Sequence, residues 1–450
     1  MKWWRRPELW LVVWLLVVAW VGSRALIDDR CLQISERDRV SYGLRPVWQT
    51  RFDALSATCG VGLLQYDLQE DYTPLGRWVL LSLGVVGALL YLVVARLVVG
   101  RLWSGGGGRL PSIWLILAVL FVLQAVMIPL AGLAGPLTGS ESRSVDAVWQ
   151  AIAAFFSLGW VLDRPPLHYG WAIALVGLLG ALGWSVWLVA LPADRGGVGA
   201  KTVLLAALSY VGLLLALAGL VAVLEMPRGE VRGAAQGNQL AVGSVGQRAV
   251  RSVVQVVSAA GAGAPTERLD ERGVGEGTKL VLAGVVLVGG MGGSMGGGIK
   301  WAVLLWALAA WGAVCGRGPG RSRGEVTHRC ALAGSACAGV IVAWMVVVAL
   351  GLLLVETRVA SRFRPPPTLG DAILDASSAV GGANLSSGLI GTVTDVNLSS
   401  GMDQTVDSYQ YGMAWLMLAM FIGRVLPVLV LGRIADMHFS DAPARWPPLA

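Results

Sequence analysis

Roughly eight stretches of this chain are apolar for about twenty residues at a time, the length an α-helix needs to cross the hydrocarbon core of a bilayer. They lie near residues 9–26, 76–99, 113–133, 169–191, 203–224, 280–315, 331–355 and 413–431. With 55% hydrophobic and only 14% charged side chains over 450 residues, the chain has too little polar surface to bury such runs in a soluble globule. The pattern predicts an all-α polytopic membrane protein. The first run follows "MKWWRRPELW", which is like the charged front of a signal peptide. Its apolar part is too long for one, and no small-residue cleavage site follows, so it reads as a retained first helix.

With a cytoplasmic N-terminus, eight spans put Arg96, Arg101, Arg109, Arg195, Lys201, Arg317, Arg321, Arg323, Arg329 and Arg433 on one side. The short loops there carry few acids, as the positive-inside bias requires of the cytoplasmic face. The net charge of +7 then reflects topology rather than nucleic-acid binding. Cys31, Cys59, Cys315, Cys330 and Cys337 form no CxxC pair, and His168, His328 and His438 are far apart. No disulfide framework, zinc site or hydrolytic constellation is implied, and the chain is not expected to be an enzyme or to carry a cofactor.

Between the spans a smaller pattern recurs. After the first, third, fifth and seventh helices comes a semi-polar, small-residue segment, and then a fresh long helix. The four segments are "FDALSATCGVGLLQYD", "VWQAIAAFFSLGWVLD", "VVQVVSAAGAGAPTERLD" and "ILDASSAVGGANLSSG". Each begins with a short helix-compatible run and ends in glycine-containing chain. Non-helical backbone at membrane depth is tolerated only where protein or a water-filled cavity satisfies it. Four such loops around one axis could aim their carbonyls at a dehydrated cation. Small residues also serve close helix packing, the alternative use of any one segment taken singly.

The sixth apolar run is peculiar in a different way. "LVGGMGGSMGGGIKW" holds seven glycines, which cost about 7 kcal/mol of helix propensity relative to alanine. The helix is expected to open there. The stretch is no phosphate loop, because GxxxxGK[ST] fails where Ile299 precedes Lys300 and Trp301 follows. A GxxxG-type packing face is the other use of such a run.

Together these motifs resemble the Trk/Ktr/HKT superfamily of potassium transporters, closest to the Ktr-type ion-translocating membrane subunit. "SATCGVGL" is similar to the first filter of that family, with Gly62 in the glycine place, and "AAFFSLGW" to the second, with Gly159. "QVVSAAGAGAPT" matches the third through Ser258, Ala259 and Gly263, and "SAVGGANLSSG" the fourth, with Asn384 where glycine is usual. "MFIGRVLP" follows the family's last-helix motif. Other departures are Val61 for a hydroxyl residue, "FFSLG" where asparagines are usual, Ala260 and Gly261 for an Arg-Thr pair, and Met295 for a hydroxyl residue.

The resemblance implies four pseudo-repeats of helix, re-entrant pore loop and helix, over residues 1–100, 101–196, 197–320 and 321–450. It implies a cation filter of Cys59, Gly60, Val61, Gly62, Ser157, Leu158, Gly159, Gly261, Ala262, Gly263, Gly382, Ala383 and Asn384. It implies an intramembrane gate of Gly292, Gly293, Ser294, Met295, Gly296, Gly297, Gly298 and Lys300, with Arg424 facing the pore. For Arg424 a structural salt bridge or snorkelling near a helix end is the other role, and Lys300 either binds loop carbonyls or finds water. The implied substrate is potassium, with sodium as a second cation. The implied assembly is a homodimer in the bacterial inner membrane on a ring of separate cytoplasmic nucleotide-binding regulatory subunits. The departures from the filter pattern leave a second expectation, a non-conducting membrane scaffold or regulatory paralogue of the same fold.

Overall fold

The computed structural model describes residues 6–32, 45–103, 143–160, 167–189, 200–226, 240, 244–262, 274–308, 321–359, 368–387 and 405–438, apart from positions 29, 67, 70, 293, 295 and 306. In chain order the helices are α1 (Pro7–Leu26), α2 (Arg45–Cys59), α3 (Pro74–Trp103), α4 (Arg143–Phe155), α5 (Leu167–Val189), α6 (Ala200–Leu224), α7 (Val245–Val257), α8 (Glu276–Val288), α9 (Arg321–Val359), α10 (Leu369–Gly381) and α11 (Thr405–His438). A π-helical turn, Ser258–Ala262, ends α7. The only pairing outside helices among the described residues is an isolated bridge between Leu32 and Tyr72. The expected run at 113–133 lies outside the described residues, as does Gly263.

Among the described residues, five helices contain stretches long and apolar enough to cross a membrane: Pro7–Leu26, Pro74–Val98, Val203–Leu224, Gly334–Leu354 and Gly412–Arg433. Two of the expected spans are interrupted instead. In α5 the backbone leaves helical geometry at Gly183 (φ 71°, ψ 170°), a break that the hydropathy pattern does not signal. The sixth run opens as expected: α8 ends at Val288, with Gly289 at φ 64° and ψ −155°, and the chain is helical again from Trp301.

Lying between these long helices, α2, α4, α7 and α10 have 15, 13, 13 and 13 residues. At 1.5 Å per residue they reach about 20 Å, too short to cross the bilayer. Two of them begin at capping boxes. Ser244 pairs with Gln247 ahead of α7, and Thr368 with Asp371 ahead of α10. Two buried hydroxyls of the short helices bond back along their own helix, Thr58 Oγ1 to the Ala54 carbonyl at 2.7 Å and Ser377 Oγ to that of Leu374 at 2.8 Å.

The short helices and the long helices that follow them form a closed ring. α3 packs on α2 and α4, α5 on α4 and α7, α8 on the π turn after α7 and on α10, and α11 on α10 and back on α2. Close approach rests on one glycine in each of three long helices. A Cβ on Gly87 would collide with the Thr58 carbonyl oxygen at the end of α2. A Cβ on Gly180 would meet the Phe155 carbonyl at the end of α4, and one on Gly423 would stand 2.8 Å from the Val380 Cα near the end of α10. Small residues thus let a helix backbone lie directly against the end of each short helix.

The chain leaving two of the short helices is tied back by a carboxylate twelve residues earlier. Asp53 accepts from the Gln65 amide at 2.7 Å and from the Tyr72 hydroxyl at 2.7 Å, and Asp375 accepts from the Ser387 amide at 2.6 Å.

Replacing Gly87, Gly180 or Gly423 by alanine is expected to destabilise the protein by about 1–3 kcal/mol each, because the colliding atoms are backbone and cannot swing away. Alanine at Gly212 or Gly219, where a Cβ meets nothing within 4 Å, is expected to be neutral or slightly stabilising. Asp53→Ala leaves buried donors without an acceptor and is expected to cost about 1–3 kcal/mol. Thermal unfolding midpoints in detergent check all three, and equal midpoints for Gly87→Ala and Gly212→Ala would contradict the packing argument.

Candidate cation pathway

Each short helix ends in a left-handed residue, and in three of the four a second left-handed residue stands two positions on. The pairs are Gly60 (φ 67°) and Gly62 (φ 82°), Ser157 (φ 58°) and Gly159 (φ 69°), and Gly382 (φ 66°) and Asn384 (φ 49°). In the third loop Gly261 has φ 80°. The first two ends are Schellman motifs. The Gly60 and Val61 amides bond the Ala57 and Ser56 carbonyls, and the Ser157 and Leu158 amides those of Ala154 and Ala153. In the fourth loop the Gly382 amide bonds the Ser378 carbonyl and the Leu385 amide the Ser378 Oγ. Alternation of this kind turns successive carbonyls without a helix or sheet to absorb them. Ser157 and Asn384 adopt it without being glycine, and asparagine is among the side chains that tolerate it best.

These turns converge. A Cβ on Gly62 would overlap the Leu158 carbonyl oxygen and lie 3.0 Å from the Asn384 Cβ, and one on Gly159 would lie 2.5 Å from the same Asn384 Cβ. A Cβ on Gly382 would be 2.9 Å from the Gly60 carbonyl oxygen, and one on Gly261 would be 3.8 Å from the Gly382 carbonyl oxygen. Residues more than 300 positions apart in sequence therefore share one small volume. Of the expected filter residues, Cys59, Val61, Leu158 and Ala383 are buried beside their turns. Ala262 closes the π turn, and Gly263 is outside the described residues.

The glycine-rich segment sits against the third and fourth turns. A Cβ on Gly297 would collide with the Gly381 carbonyl, and one on Gly296 would lie 3.3 Å from the Ala260 carbonyl oxygen. Only backbone without side chains fits so close. The segment is cinched at its base, where the Ile299, Lys300 and Trp301 amides bond the Leu287, Val288 and Gly290 carbonyls. It is anchored sideways by two bonds. The Met291 amide donates to the Ala181 carbonyl at 2.8 Å, close to the break at Gly183, and the Tyr210 hydroxyl donates to the Gly289 carbonyl at 3.0 Å. Lys300, itself left-handed at φ 77°, turns its ammonium inward onto Ser294 Oγ at 3.0 Å, the Ser294 carbonyl at 3.2 Å and the Gly296 carbonyl. Of the two roles open to Lys300, the structure has the first. Gly292 and Gly298 lie in the same segment, while Gly293 and Met295 are outside the described residues.

Arg424, on α11, is also buried. Its guanidinium carbon stands 3.9 Å from the centroid of the Tyr91 ring, on α3, and a Cβ on Gly60 would lie 3.6 Å from its Nη2. The Lys300 ammonium is 5.9 Å from the same ring centroid. Two basic side chains are thus held near the Tyr91 ring, Arg424 also beside the first turn. Tyr91 escapes sequence reasoning because one tyrosine inside a 30-residue apolar helix carries no positional signal. Trp160 escapes it too, although it directly follows Gly159, which the sequence singles out. Its indole Nε1 donates to the Gly62 carbonyl at 2.8 Å.

No protein-family model matches the sequence. No curated protein matches it significantly. Among solved structures, the potassium transporter TrkH from Vibrio parahaemolyticus superposes with a TM-score of 0.63 at 16% identity, over 95% of this chain and 84% of that one. The chain is an all-α, multi-pass membrane protein with the fold of that transporter.

Proposed function

We propose that this protein moves potassium inward across the plasma membrane, along the axis on which its four dipping loops meet. The observation that carries the reading is the repeated turn of two left-handed residues after a short helix, with Gly62, Gly159 and Asn384 in mutual reach. Backbone carbonyls presented by such turns replace the hydration shell of a dehydrated cation. The chain direction adds to this, because the partially negative C-terminal ends of α2, α4, α7 and α10 all lead into the turns. Likeness in fold to a potassium transporter favours potassium as the cargo. Sodium is the second cation to test.

The segment 289–300 acts as the barrier on this path, pinned by Lys300, and Arg424 adds a fixed positive charge beside Gly60. The N-terminus is placed in the cytoplasm by the arginine distribution. Pairing into a homodimer in a bacterial inner membrane, and regulation by separate nucleotide-binding subunits, follow from the resemblance of the motifs. A non-conducting scaffold is the second reading, favoured by the two buried cations at the path.

Growth at limiting potassium and radiotracer uptake, in cells stripped of their own potassium uptake systems, separate the two. The transport reading expects rescue. It also expects severalfold faster uptake when residues 291–297 are deleted, since the obstruction goes while the turns stay. Arg424→Ala is expected to raise uptake as well, because a fixed charge in a low dielectric repels the permeating cation. Normal membrane insertion with no uptake in any of the three proteins would leave the scaffold reading standing.

A further inference from the structure

Where the loops converge, two backbone carbonyl oxygens are already engaged by the protein. Asn384 Nδ2 donates to the Gly159 carbonyl at 2.6 Å, from the fourth loop to the second. Trp160 Nε1 donates to the Gly62 carbonyl at 2.8 Å, from the second loop to the first. Both donors are held in place. The Trp160 ring is buried and stacks on Trp149 with centroids 5.8 Å apart, and Gln150 Nε2 donates to the Trp160 carbonyl. The Asn384 Cβ occupies the space that the absent side chains of Gly62 and Gly159 leave open.

We propose that Asn384 and Trp160 are selectivity-determining residues, which turn this level of the filter into a hydrogen-bonded collar that discriminates poorly between potassium and sodium. An N–H placed on a carbonyl oxygen occupies one of its lone pairs and sets a partial positive charge beside it. Discrimination between the two cations depends on how many carbonyl dipoles surround the ion and how strong their field is. With the Gly62 and Gly159 oxygens both engaged, fewer full-strength ligands face the ion, and it retains water instead. The same bonds tie three loops together, so the collar is stiff as well as weakly coordinating.

The proposal rests on the transport reading, and two measurements keep their failures apart. The full-length protein, Asn384→Gly and Trp160→Phe are purified and placed in liposomes, and rubidium uptake is competed with potassium and with sodium. Glycine accepts φ 49° without strain, and phenylalanine keeps an aromatic ring against Trp149 while removing the N–H. The wild type is expected to be inhibited by the two ions at similar concentrations. Each variant is expected to favour potassium by about five-fold or more, the scale of one exchanged hydrogen bond. Unchanged competition ratios in variants that elute normally on size exclusion would overturn the proposal.

In parallel, potassium and sodium are titrated onto the detergent-purified proteins and the melting temperature is followed. If no protein takes up rubidium, the transport reading fails, and the titrations decide the proposal alone. A potassium midpoint that falls relative to sodium in Asn384→Gly supports it, and parallel midpoints overturn it. Should Trp160→Phe fail to fold, Asn384→Gly decides by the same two readouts.

Discussion

Backbone that leaves the helix inside a membrane must find its hydrogen bonds within the protein, and the architecture here is organised around meeting that demand four times. The first two turns close on their own short helices through Schellman bonds, and the fourth through the Ser378 carbonyl and hydroxyl. The return limbs of the first and fourth loops are held by Asp53 and Asp375, each twelve residues before the amide it accepts from. The long helices supply the walls, and glycines at 87, 180 and 423 let those walls lie directly against the ends of the short helices. Without that closure the left-handed residues would expose unsatisfied carbonyls to hydrocarbon.

The same demand is met at the described residues of the glycine-rich segment. Its amides and carbonyls are distributed among α8, the Ala181 carbonyl near the break in α5, the Tyr210 hydroxyl of α6 and the Lys300 ammonium. Helices from two different repeats thereby hold the element that lies under the turns. Both buried basic side chains stand near Tyr91, whose ring attracts a cation through its quadrupole.

Much of this was legible in the amino-acid order. Apolar runs of about twenty residues, the recurrence of small-residue segments after alternate helices, and seven glycines in one apolar run are local signals, and each reports a local constraint of length or backbone propensity. They indicated the membrane class, the positions of the four dipping segments and the opening at residue 289. Asn384 could be singled out because the resemblance puts it where glycine is usual, and its left-handed φ of 49° is one that an asparagine side chain tolerates.

What the sequence could not contain was the set of partners that only closure of the ring creates. Nothing in the apolar pattern of α3 distinguishes Gly87 from Gly84, or marks Tyr91 as the neighbour of an arginine more than 300 residues away. The break at Gly183 is silent in hydropathy, because a glycine inside an apolar helix reads the same whether it bends or not. The indole of Trp160 and the amide of Asn384 find carbonyls in other loops, across 98 and 225 residues. Periodicity and propensity report which backbone conformation a segment prefers. Which carbonyl a donor reaches depends on distances between segments, and those exist only once the four repeats have packed around a common axis.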